Sequence, residues 1–138
     1  MTASNSQGLA RLRDALDRHF AFIEDNSEEF LRLMHNRSSS DPRTRAMVDD
    51  VRWLDATSLL HAFEAPEPVH PVLRTSIRGW VGYLDEIALD HLRHRELTRD
   101  DLVGLATAAL VSCLRAARSL DPRIDADPGA ISLPIHQA

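Results

Sequence analysis

Lysine is absent from the 138-residue chain, cysteine and tyrosine each occur once, and aromatic residues make up only 5%. A lone Cys113 can close no internal disulfide and cannot supply a zinc site with several thiolates. Arginine fills all 16 lysine-plus-arginine positions, a bias that reads as coding composition and carries no functional argument. No run approaches the roughly 18 consecutive apolar residues of a membrane span, and residues 1–8 carry neither a basic nor an apolar leader. These absences predict a cytoplasmic chain with no membrane partner. Positive charge is also scarce, with a net charge of −5, whereas phosphate contacts need clustered cations. This segment alone is therefore expected to bind no nucleic acid.

What is present is helical periodicity over a length that suits one domain. Residues 1–8 read as a disordered N-terminal segment, 9–120 as a helical regulatory and dimerisation domain, and 121–138 as a loosely ordered tail. Leu9, Leu12, Leu16, Phe20 and Ile23 recur at spacings of three and four, which predicts a core-facing first helix over 9–24. Asn26 and Glu29 have capping-box spacing, and Phe30, Leu33 and Met34 supply the inner face of a short second helix. A third helix should start at Pro42 with Asp41 as cap and run to about Phe63, its apolar stripe including Met47, Val51, Leu54, Leu60 and Phe63. Three prolines in 65–71 form a stiff connector, and Pro71 opens the fourth helix, which runs to about His94. Thr98 and Asp101 form a second capping box for a fifth helix ending near Leu120, closed by Asp121 and Pro122. No alternation typical of strands appears. The expected class is all-α, with about five helices.

The last two helices are apolar over too wide an arc for one neighbour. Leu102, Leu105, Ala106, Ala109, Leu110, Cys113, Leu114 and Ala117 cover about 180° of the helical wheel, more than one core face requires. Leu73, Ile77, Trp80, Val81, Leu84, Ile87, Ala88 and Leu92 do the same on the fourth helix, flanked by Ser76, Gly79 and Tyr83. Gly79, Gly82, Gly104 and Ala109 permit close helix approach. Pairing of these helices with their copies about a two-fold axis would bury both faces in a four-helix bundle; a monomer whose first helices cover them is the competing arrangement.

The segment Arg78-Gly-Trp-Val-Gly-Tyr-Leu-Asp-Glu-Ile-Ala-Leu-Asp-His-Leu92 and the following Leu97-Thr-Arg-Asp-Asp-Leu102 resemble the C-terminal regulatory domain of TetR-family transcription regulators. Ala10-Arg-Leu-Arg13, His19-Phe-Ala-Phe-Ile23 and Asn26-Ser-Glu-Glu-Phe30 look like its opening helices, so the resemblance runs over 9–120. It implies a helical ligand pocket in each subunit, a homodimer through the last two long helices, and effector binding that changes the spacing of two DNA-binding heads. Those heads are expected to be missing from this chain, since residues 1–8 cannot hold three helices and 98–120 lacks a glycine-bearing turn between two short helices. A truncation, a mis-assigned start or a true loss would each account for that. His91 stands where relatives often carry a large aromatic.

On this reading Phe30, Met34, Trp53, Thr57, His61, Trp80, Tyr83 and Leu84 line a pocket for a small, largely apolar effector. Ser76, Gly79, Ile87, Leu102, Leu105, Ala109, Leu110, Cys113 and Leu114 form the dimer interface. No cofactor is expected. Two other readings remain open. His91 and His94 with Asp90 could begin a metal site in a small helical metal protein or enzyme, although a third converging ligand is normally needed. Catalysis through Cys113 would need a base nearby and a thiol that burial does not suppress. A stand-alone dimerisation partner that captures a full-length relative is the other alternative. The i, i+4 pairs Asp14 with Arg18 and Glu28 with Arg32 read as solvated helix-face pairs.

Overall fold

A computed structural model describes residues 2–50 and 69–124. Helix α1 spans Thr2–Asp25 and α2 spans Ser27–Asn36; α3 is described over 42–50; α4 spans Pro71–His94 and α5 spans Arg99–Leu120. The described residues contain no strand, and the all-α expectation holds. The first helix starts at Thr2 and not near Leu9, which corrects the reading of residues 1–8 as disordered. Apolar periodicity cannot detect a polar helical turn, and nothing in 2–8 is a proline that would stop a helix extending from packed turns.

Leu12, Leu16, Phe20 and Ile23 form the buried stripe of α1, at the spacings read from the sequence. One residue, Asn26, joins α1 to α2. Its side chain donates from Nδ2 to the Phe22 carbonyl at 2.9 Å and makes no cap bond to α2. The expected Asn26–Glu29 capping box is thus absent: so short a link turns the amide back to finish α1. At the start of α3 the Asp41 carboxylate accepts from the Arg43 N–H and the Thr44 hydroxyl, both at 3.1 Å. Val48 is buried there while Met47 is 69% exposed, so Met47 leaves the stripe assigned to it. Val51, Leu54, Leu60 and Phe63 lie outside the described residues.

Helix α4 begins at Pro71 as expected, and His70 caps it: Nδ1 accepts the Val72 N–H at 3.1 Å. It ends at Arg95, whose left-handed backbone (φ 53°) directs its N–H to the His91 carbonyl at 2.8 Å. The Thr98–Asp101 capping box is present, with both reciprocal bonds at 3.0 Å. α4 and α5 form an antiparallel hairpin whose seam is marked by Trp80 Nε1 donating to the Ala106 carbonyl at 2.9 Å, and near its far end by His70 and Asp121.

Helix α5 lies between α1 and α4 and packs extensively on both, whereas α1 and α4 touch little. Leu102, Leu110 and Leu114 on α5 are at most 1% exposed. By length and hydropathy α5 could cross a membrane, but its apolar face forms the centre of this core. Ile124 is buried against the same core and its N–H donates to the Asp121 carbonyl at 3.0 Å. The described start of the expected loose tail is therefore fixed. The helix-face pairs Asp14/Arg18 and Glu28/Arg32 are not among the ion pairs formed; longer-range pairs such as Arg78 with Asp49 and Arg99 with Asp17 occur instead.

Candidate functional site

The residues expected to line an effector pocket fall into three groups. Met34, Trp80 and Leu84 are buried and Phe30 packs half-buried against the core. Trp80 spends its only donor on Ala106, so it serves the α4–α5 seam and has no polar group left for a ligand. Tyr83 is 36% exposed and departs from the interior set. It lies one turn from Gly79 and one from Ile87, on the outer side of α4. Trp53, Thr57 and His61 lie outside the described residues.

The expected dimer residues divide as well. Leu102, Leu110 and Leu114 are buried within the subunit, so they are core and offer no free surface. The wide apolar arc of α5 is explained by its two neighbours, α1 and α4, which the wheel alone could not count. What stays accessible is a narrower strip. Leu105 is 43% exposed, Gly79 and Ala108 are exposed, and Ser76, Ile87, Ala109 and Cys113 are intermediate. Gly79 and Gly104 have open space where a Cβ would stand. Ser76, Tyr83 and Ile87 lie within about 60° of Trp80 round α4, and Ala109 and Cys113 within about 60° of Ala106 round α5. The two half-strips therefore adjoin along the hairpin seam.

A polar node ties the other end of the hairpin to α1. His91 Nε2 lies 2.8 Å from Glu24 Oε2, Arg99 reaches Glu24 at 3.1 Å and Asp17 at 3.0 Å, and Arg95 stands 3.8 Å from Glu24. The His91 hydrogen bond, helped by Arg99 and opposed by partial burial, holds the Glu24 carboxyl below its ordinary range. An ionised carboxylate only accepts, so His91 donates from Nε2. Its buried Nδ1 has no hydrogen-bond partner. His94 turns to Asp90 at 3.6 Å, so the two histidines serve different carboxylates. Among the described residues no group of three or more His, Cys, Asp or Glu side chains converges as metal ligands would. Burial pushes the Cys113 thiol up and the His19 imidazole down.

Sequence reading missed Glu24, Arg99, His70 and Asp121 as structural partners. His70 carried a local signal, a polar side chain directly before a proline at the first helical position. The other contacts join distant segments and have no periodic trace.

The described residues form a helical bundle closed by the long α4–α5 hairpin. The family model described as the tetracyclin repressor-like, C-terminal domain matches residues 9–117. The chain belongs to that family. Comparison with curated proteins and with solved structures gives no match.

Proposed function

We propose that the chain is the effector-sensing and dimerisation domain of a TetR-type transcription regulator, acting in the cytoplasm as a homodimer and binding no DNA by itself. The observation that carries this reading is the pair of exposed apolar side chains on the hairpin, Tyr83 on α4 and Leu105 on α5, with Ser76, Ile87, Ala109 and Cys113 half-buried near the seam. Small residues let a second hairpin approach closely, and a two-fold pairing of this strip with its copy would remove the leucine and the tyrosine ring from water. The interface is thus Ser76, Gly79, Tyr83, Ile87, Leu105, Ala109 and Cys113, with Leu102, Leu110 and Leu114 supporting it from within.

The effector is a small, largely apolar molecule lodged beside Phe30, Met34 and Leu84; the other expected liners, Trp53, Thr57 and His61, lie outside the described residues. A ligand that prefers one dimer geometry shifts the population toward it, which is how binding becomes a signal. The work of this domain is binding and not turnover: the raised Cys113 thiol is a poor source of thiolate.

Sedimentation equilibrium tests the reading. The chain is expected to sediment as a dimer and Leu105→Arg as a folded monomer. A wild-type monomer at every attainable concentration would overturn it.

A further inference from the structure

A groove of about 330 Å³ runs between the C-terminal turns of α2 and α4, on a side of α4 turned well away from Tyr83 and Ile87. Its floor is Met34 and Leu89, both buried, and Leu31, 40% exposed, forms an apolar wall. Its rim carries two guanidinium groups, Arg37 from the end of α2 and Arg93 from the last turn of α4, with His35 beside them. Arg37 is held over the groove, donating from Nη1 to Met34 Sδ at 3.7 Å and pairing with the exposed Glu86. Arg93 has no ion-pair partner among the described residues.

Cations at helix C-termini are favoured by the helix dipole, which accounts for each residue singly. It does not account for an apolar floor beneath them, nor for two guanidinium groups from different helices bordering one depression in a chain of net charge −5. Guanidinium is the side chain best shaped to grip a carboxylate with two parallel hydrogen bonds. The volume lies at the small end of the range for ligand pockets.

We propose that this groove is a binding site for a small amphipathic carboxylate, an acyl acid whose headgroup is received by Arg93 and Arg37 while its chain lies on Met34, Leu89 and Leu31. It shares Met34 with the effector pocket proposed above but lies apart from the dimer strip, and Leu31, Leu89 and Arg93, which that pocket does not use, set the two apart.

The test is titration of the full chain with octanoate, followed by methyl NMR at Leu31, Met34 and Leu89, with octanol as the uncharged counterpart. Saturable shifts at these methyls are expected with octanoate and much weaker ones with octanol. Arg93→Gln, at an exposed position, should weaken octanoate at least about tenfold, because a charge-assisted hydrogen bond is lost. Leu31→Ser should weaken both compounds, and circular dichroism should show both variants folded. Equal binding of octanoate and octanol, shifts centred on Phe30 and Trp80 instead, or an unchanged affinity in Arg93→Gln would each overturn the proposal. Sedimentation of the same variants as wild-type dimers would show that the groove had been tested apart from the interface.

Discussion

His70 Nε2 stands 2.8 Å from Asp121 Oδ2 across 51 residues of chain, while Nδ1 of the same ring accepts the Val72 N–H at 3.1 Å. Because Nδ1 accepts, the proton sits on Nε2, and one neutral tautomer both caps α4 and fastens it to the end of α5. His70→Ala should cost about 1–2 kcal/mol in denaturant unfolding, from a lost cap and a lost hydrogen bond to a carboxylate. His70→Asn, which can still cap but does not reach Asp121, should lose roughly half as much. A loss under a few tenths of a kcal/mol for His70→Ala would show that the ring does neither.

Acid dependence follows from the same pair. The Arg123 side chain first, then the Arg123 backbone N–H and His70, hold the Asp121 carboxyl well below the usual carboxylate range. A group whose folded pKa is depressed contributes stability above its unfolded pKa and loses it as pH falls through the folded value. The thermal midpoint should therefore fall as pH drops below about 4. Asp121→Asn should flatten part of that limb. Coincident acid profiles for the two proteins would contradict the linkage.

Glu24 and His91 should couple energetically. A double-mutant cycle with Glu24→Gln and His91→Gln is expected to give about 1–2 kcal/mol of interaction, below the full value of a buried charged hydrogen bond because Glu24 is partly solvated. Additive single-mutant effects would mean that Arg99 alone holds the carboxylate.

Arg95 is the one described non-glycine residue with positive φ, at 53°. Glycine adopts that conformation without the Cβ penalty, so Arg95→Gly should stabilise the fold by about 0.5–1 kcal/mol, less the weak contact to Glu24. A destabilised variant would show that the contact outweighs the strain.

Core assignments differ sharply between neighbouring readings of one pattern. Leu110→Ala should cost about 2–5 kcal/mol, since its side chain is fully buried, whereas Met47→Ala should stay within about 0.5 kcal/mol. Similar losses at both would return Met47 to the core.

The bounds of α4 and α5 were legible because proline, a Thr–Asp capping box and a closing Asp–Pro are local signals that tertiary packing reinforces. The buried stripe of α1 was legible because Leu12, Leu16, Phe20 and Ile23 serve mainly one neighbouring surface, that of α5. The face of α5 was misjudged because periodicity measures how wide an apolar arc is and not how many helices cover it. Leu110 and Leu105 look alike in the sequence; α1 and α4 enclose the first and leave the second. Asn26 misled because its capping pattern is shared by a residue that ends a helix. The His91–Glu24 and His70–Asp121 contacts were invisible, since nothing near either residue announces a partner from another helix.

The placement of α5 also bears on how the domain is made. It is the last of the described helices to be synthesised and the one that covers both α1 and α4. Until it leaves the ribosome, Leu12, Leu16 and Phe20 lack the main surface they pack on, and the inner side of α4 stands open to other apolar chains. Folding of the described bundle is therefore bound to the synthesis of α5. A ribosome stalled before Arg99 would release a polypeptide already carrying most of its greasy surface and none of the helix that hides it.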